Sequence, residues 1–314
     1  MRRLALVAVA VAACGASTTH THTPQRVFVC GLGYCGLRAA DAFHEAYPSC
    51  AVAGSVRSAE KAAALRSARP WLETFVFDLD ATYRGLDEAG AAALGASTHV
   101  VATMPPIADG DEDPLLALHG VPEGAWACYL STTGVYGDHG GQWIDETAEV
   151  RAADARSRAR IAAEARYLER EGVVFRLGGI YGPGRSLLDK ARAVPTRADA
   201  PGKFVNRIFV DDVAGAAVAA AAADVRSEVF NVVDDLPAPR AEVLAFAQTL
   251  AKHPPPPADA PSRAPLRAAR SSGSKRCSNA KLREVYDLRA PTYEEGLATI
   301  HAAALLESPE SGLS

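Results

Sequence analysis

A chain of 314 residues, 48% hydrophobic and 22% charged, can bury a sizeable core and fits one domain with an elaborated C-terminal lobe. Its formal net charge of −4 and pI near 6.1 supply no broad basic field, which argues against nucleic acid and anionic membrane as partners. Six cysteines, at positions 14, 30, 35, 50, 128 and 277, are scattered rather than arranged as a disulfide scaffold, and no Cys or His spacing resembles a zinc site.

The first residues stand outside the expected fold. Two arginines are followed by an apolar run from Leu4 to Ala13 and then by the polar tract Ser17 to Thr23, a pattern that fits a secretory-type signal and is too short to cross a bilayer. Val11-Ala-Ala-Cys14 also has the form of a lipoprotein cleavage box, and a disordered extension is a third alternative. Residues 1–24 are therefore expected to be a targeting or disordered segment.

Beyond it, apolar runs alternate with alanine-rich stretches. Val27–Cys30, Ala51–Val56, Thr74–Phe77, His99–Thr103, Trp126–Leu130 and Val173–Leu177 read as strands, several too uniformly apolar for a half-exposed sheet. Helices are expected at about 35–47, 58–68, 82–94 and 153–171. This rhythm predicts an α/β fold with a parallel sheet covered on both faces by helices. The proline run from His253 to Pro265 reads as a stiff, extended connection.

Gly31, Gly33 and Gly36 follow the first strand and open the first helix, at the spacing that lets a backbone turn tightly, approach a pyrophosphate and pack helix on strand. The helix N-terminus that begins with Tyr34 and Cys35 then offers unpaired N–H groups to phosphate oxygens. A Rossmann-type, doubly wound sheet is the expected architecture. At the end of the second strand, where an acidic residue would favour NAD, stands Arg57, so NADP is expected, with NAD possible. The alternative is that Arg57 only covers the following helix. Asp78, with Leu79 beside it, could meet the adenine amino group or simply begin a turn.

Four further motifs occur in order: Ser131-Thr-Thr-Gly-Val-Tyr-Gly137, Phe175-Arg-Leu-Gly-Gly-Ile-Tyr-Gly-Pro-Gly184, Arg207-Ile-Phe-Val-Asp-Asp-Val-Ala214 and Phe230-Asn-Val-Val-Asp-Asp235. Together with the glycine turn, over roughly residues 26–300, they resemble the extended short-chain dehydrogenase/reductases, the NAD-dependent epimerase/dehydratases, and within them an atypical, YeeZ-like branch. The resemblance implies a Rossmann domain at 25–215, a smaller C-terminal substrate lobe at 216–303 to which 178–208 contribute, and a tail at 304–314.

By the same resemblance Thr132 falls at the catalytic Ser/Thr that holds the substrate oxygen. The family's tyrosine and lysine, four apart on the next helix so that both face one way, fall on Arg156 and Arg160 when Glu164 is matched to the family glutamate. A guanidinium stays protonated and cannot act as general base. Arg160 could still meet the nicotinamide ribose, and Arg156 a substrate anion, or both could be solvated. Tyr136 and His139 are the nearby residues that could carry a proton instead, although such a tyrosine ordinarily packs beneath the loop. Thr133 and Gly134 replace the acid pair of the dehydratases, so sugar 4,6-dehydration is not expected. Arg185 and Arg207 are implied anion contacts, while Lys275–Asn279 and Pro291–Leu297 look structural.

Two functions follow from these residues. One is an NAD(P)-dependent oxidoreductase or epimerase acting on a small carbonyl, alcohol or sugar-nucleotide-like substrate with a non-standard proton donor; the other is a non-catalytic NAD(P)-binding sensor or scaffold. A small-molecule substrate, no nucleic acid, no membrane span and a possible homodimer through the helix carrying Arg156 are the expected partners. The signal-like start points into the secretory route and a nicotinamide cofactor to a reducing compartment, so a plastid or other organelle, or the cytoplasm, is favoured over the exterior.

Overall fold

Uniformly apolar strands need cover on both faces, and alternate residues of the first strand divide between two apolar layers: Val27 and Val29 face one, Phe28 and Cys30 the other. The computed structural model describes residues 23–79, 84–107, 113–151, 154–191, 203–251 and 273–306. The signal-like run Leu4–Ala13, the proline-rich connection and most of the tail lie outside the described residues.

The first half of the chain comprises β1 (Arg26–Cys30), α1 (Tyr34–Ala46), β2 (Ala51–Val56), α2 (Ala59–Ala68), β3 (Leu72–Asp78), β4 (Gly85–Leu86), α3 (Glu88–Gly95), β5 (His99–Ala102), α4 (Pro114–Leu118) and β6 (Trp126–Thr132). After a 3-10 turn at Thr133–Tyr136 come β7 (Trp143–Ile144), α5 (Ala155–Leu168), β8 (Val173–Leu177), β9 (Gly179–Tyr181), α6 (Leu188–Ala191), β10 (Arg207–Phe209) and α7 (Val210–Ala222). The last elements are β11 (Val229–Val232), α8 (Arg240–Leu250), β12 (Arg276–Cys277), α9 (Ala280–Arg283) and α10 (Tyr293–Leu306).

The main sheet has the order β11-β8-β6-β5-β1-β2-β3-β4. Its strands pair in parallel except β4, where Phe77 of β3 lies opposite Leu86 and Asp78 opposite Gly85 in antiparallel register. This is a Rossmann-like α/β fold. Strand order reverses between β1 and β5, which opens the crevice at the carboxyl ends where such sheets bind ligands. Phe28, Phe43, Phe77, Phe175 and Tyr167 are among the largest fully sealed side chains; each apolar ring contributes on the order of 1.5–3 kcal/mol by leaving water. A smaller core, built on Tyr181, Phe209, Val243, Tyr293 and Leu297, holds the C-terminal lobe together.

Three expectations change. The helix expected at 82–94 begins only at Glu88, because Gly85 turns the chain at φ +68 into β4 and Asp87 caps the helix by accepting from Gly90 N at 2.8 Å. The helix expected at 153–171 is shorter as well: Asp154 caps its start, and the chain leaves at Glu171, φ +56, while Gly172 N bonds back to Tyr167 O at 2.8 Å. The sheet also outruns the domain boundary expected at residue 215, since β11 pairs with β8, Phe230 opposite Phe175.

Candidate functional site

The glycine turn is shaped by what each position excludes. Gly31 has φ +104, and a Cβ there would stand 2.6 Å from Thr103 Oγ1; that hydroxyl donates to Gly31 O at 2.6 Å and ties β5 to the turn. A Cβ on Gly36 would lie 2.1 Å from Gly31 O, so α1 can cross β1 closely only with glycine there. At Gly33 a Cβ would meet nothing within 4 Å. Gly33 is the exposed N-cap of α1, no side chain caps it and no acidic residue stands in the first turn, so the first amides of the helix have no side-chain partner. A pyrophosphate fits these residues. Burial pushes the Cys35 thiol up to about 11, which keeps it from being a reactive thiolate.

Arg57 is exposed just past β2, next to Ser58, which caps α2 by accepting from Lys61 N at 3.3 Å. Lys61 folds back so that its Nζ donates to Leu32 O at 2.9 Å, placing a second cation beside the glycine turn. Asp78 ends β3 on the same edge of the sheet, and Leu79 packs partly buried against the layer that holds Phe28 and Phe77.

Thr132 ends β6, two strands from the glycine turn, a lateral separation of about 10 Å. Its Oγ1 accepts from Gly134 N at 3.1 Å. Beneath it lies a buried polar layer. Ser131 Oγ donates to Glu164 Oε1 at 2.5 Å, and Arg176 donates to Glu164 Oε2 from Nε at 3.1 Å and from Nη2 at 2.8 Å. Arg176 Nη1 donates to the Tyr136 hydroxyl at 3.0 Å, which in turn donates to Asn231 Oδ1 at 2.8 Å.

Tyr136 is thus fully buried and committed, and burial pushes its hydroxyl up to about 12. Its proton is directed to Asn231 Oδ1, the packed position that such a tyrosine ordinarily takes beneath the loop. His139 holds Glu149 O at 3.1 Å in the following loop. Arg156 lies exposed in the first turn of α5, outside the cavity described below. Arg160 is turned back under the strand: its Nη1 donates to Leu130 O at 3.0 Å and to Tyr129 Oη at 3.4 Å.

Above Thr132, Thr133 and Gly134 opens a cavity of about 610 Å³, closed on the far side by Tyr181, Tyr293 and Leu297 of the C-terminal lobe. Its wall reaches toward the glycine turn. Tyr34 of the glycine turn donates its hydroxyl to Pro183 O at 3.1 Å, and Arg185, on the cavity wall, lies 5.4 Å from the Tyr34 ring. Lys203, Asn206, Arg240 and Lys275 also line it, and sequence reading had not placed them there. Lys275 is buried and its Nζ donates to Gly137 O at 2.9 Å; burial pushes the ammonium down.

Asp212 holds the segment before α10 to α7, accepting from Tyr286 Oη and from the amides of Arg289 and Ala290 at 3.0, 2.6 and 3.1 Å. Among the described residues no three His, Cys, Asp or Glu gather into a metal-binding group, and no helix is long and apolar enough to cross a membrane. The described cysteines are free thiols.

No protein-family profile and no curated protein matches this chain. Solved structures do. A conserved protein of unknown function from Silicibacter pomeroyi is 30% identical, with TM-score 0.72 over 90% of this chain and 100% of that one. A proposed NAD-dependent epimerase/dehydratase from Methylobacillus flagellatus is 24% identical, with TM-score 0.65 over 90% and 99%. A yeast methylglyoxal/isovaleraldehyde reductase solved with NADPH is 18% identical, with TM-score 0.65 over 90% and 98%. The chain belongs to one family with the Silicibacter pomeroyi protein, on the fold shared by the NAD-dependent epimerase/dehydratases and their reductase neighbours.

Proposed function

We propose that this chain binds a nicotinamide dinucleotide, NADP in preference to NAD, against the Gly31–Gly36 turn, and acts as an oxidoreductase or epimerase on a small carbonyl, alcohol or sugar-nucleotide-like substrate. Thr132 carries the proposal: it ends the strand two places from the glycine turn and lines the cavity that the C-terminal lobe closes. A bound nicotinamide would supply or accept the hydride.

The chain's own residues do the rest. The amides after Gly33 meet the pyrophosphate, Arg57 and Lys61 bring positive charge to a 2′-phosphate, and the Thr132 hydroxyl holds the substrate oxygen. Arg160 keeps a positive charge beneath β6 while bracing Leu130. The proton comes from a group other than residue 156, because a guanidinium does not release one near neutral pH. The arginines at 156 and 160 are also the reason to place the chain in the atypical, YeeZ-like branch. They support a second reading, a nucleotide-binding sensor or scaffold without turnover.

Titration with NADPH and NADH, followed by a panel of carbonyls and sugar nucleotides, separates these readings. Tighter binding of NADPH is expected, with consumption on at least one substrate. Thr132→Ala should lower turnover about 100-fold and leave NADPH affinity unchanged. Binding without consumption across the panel selects the sensor. No affinity for either nucleotide ends both.

A further inference from the structure

One wall of the cavity is a single stretch of chain: Gly184, Arg185, Ser186, Leu187 and Asp189, running from the end of β9 into α6, all line it. The stretch leaves β9 through a tight turn in which Gly182 N donates to Arg185 O at 3.2 Å, Arg185 N returns to Gly182 O at 3.0 Å, and Gly184 takes φ +71. Ser186 N and Oγ then donate to Asp189 Oδ2 at 2.7 and 3.2 Å. All of these bonds close within the stretch. Of the described hydrogen bonds of residues 182–186, the one that leaves for another element runs from Tyr34 Oη to Pro183 O at 3.1 Å.

Tyr34 is the first residue of α1, so the side chain that holds the wall grows from the helix start on which a pyrophosphate is proposed to sit. Its phenol is closely fitted. A Cβ at Gly182 would stand 2.5 Å from Tyr34 Oη and 2.6 Å from Val210 Cγ1, so the glycine lets the turn close onto the hydroxyl. On the ring, the Arg185 guanidinium carbon lies 5.4 Å from the centre. Burial, the largest influence, holds the hydroxyl above its ordinary pKa against the charges of Arg38 and Arg185, so it remains a donor through the neutral range. With two rotatable bonds, a tyrosine passes the placement of its backbone to its hydroxyl with little slack.

We propose that Tyr34 is a positioning residue that couples the two halves of the site: a nucleotide seated on the first turn of α1 fixes Tyr34, and Tyr34, through Pro183 O, fixes the wall from 182 to 189 beside the cavity. This rests on the nucleotide reading above and adds the route by which the cofactor prepares the substrate cavity. Without nucleotide the wall is tied by one hydrogen bond. With it, the donor of that bond is itself held.

Hydrogen exchange of the full chain, followed by mass spectrometry with and without saturating NADPH, tests this in the wild type, Tyr34→Phe and Gly182→Ala. Peptides covering 182–189 report the wall through the bonded amides of Gly182, Arg185 and Ser186, and peptides covering 31–36 report the nucleotide. In the wild type NADPH should slow the wall about fivefold, the size of one hydrogen bond made firm. Tyr34→Phe keeps the ring and loses the bond, so its wall should exchange about fivefold faster without nucleotide and show no slowing with it, while 31–36 are still protected. Gly182→Ala breaks the same contact from the wall side, should abolish the slowing likewise, and decides the matter if Tyr34→Phe does not bind NADPH. A purely structural loss at Tyr34 would speed the wall equally in both states and leave the slowing intact, which overturns the coupling. NADPH that protects 31–36 of the wild type and leaves 182–189 unchanged overturns it too, with nucleotide binding still standing. No NADPH affinity at all defeats the nucleotide proposal, and the coupling with it.

Discussion

The polar layer beneath Thr132 and the glycine turn end in opposite states. Below, Ser131, Glu164, Arg176, Tyr136 and Asn231 form a continuous chain of hydrogen bonds sealed from solvent. At the glycine turn, two strands away, Gly33 leaves open space and α1 begins with no side-chain cap. Groups that the chain satisfies itself are framework. Groups that it positions and leaves incomplete mark where another molecule belongs, a more selective criterion than residue type, since Tyr136 and Arg176 would both pass for catalytic groups if unpartnered.

The largest test of this contrast is Glu164→Leu, which leaves Arg176 buried without its carboxylate. A loss of about 3–5 kcal/mol in chemical denaturation is expected, with NADPH affinity unchanged below the unfolding transition. A loss under about 1 kcal/mol, or a collapse of NADPH affinity in the folded variant, would mean the layer belongs to the site rather than to its support.

The glycine turn offers a paired test inside one motif. Gly36→Ala forces a Cβ to 2.1 Å from Gly31 O and should cost about 1–3 kcal/mol of stability along with nucleotide binding. Gly33→Ser adds a side chain where no protein atom lies within 4 Å, and serine is a good N-cap, so stability should hold while NADPH affinity falls about tenfold. Equal loss of stability in both variants would remove the distinction between packing glycine and access glycine.

How much of this was legible follows from how local each signal is. Six strands and the glycine turn could be read because an apolar run and a three-residue spacing are properties of one segment. The helix expected at 82–94 failed because the positive φ of Gly85 and the cap at Asp87 outweigh the alanines around them. Tyr136 shows the limit of a motif: the resemblance marks its position, but its burial and hydrogen bonds depend on Asn231 and Arg176, from strands later in the chain. Of the cavity cations, Arg185 and Arg207 were implied as anion contacts by the resemblance, while Lys203, Arg240 and Lys275 are gathered there only by the fold.

Arg57→Ala should have the smallest effect and sharpens the contrast at its outer limit. Arg57 is exposed, and the described structure shows no contact that its loss would break, so unfolding should not change beyond about 0.5 kcal/mol. A 2′-phosphate beside it would still be held partly by Lys61, whose ammonium is already oriented by Leu32 O at 2.9 Å. The variant should therefore weaken NADPH about tenfold, the size of one solvent-screened charge-assisted bond, and leave NADH unchanged. Equal weakening of both nucleotides would instead place Arg57 against a part that NAD and NADP share, and the preference for NADP would then need another source on the edge of β2.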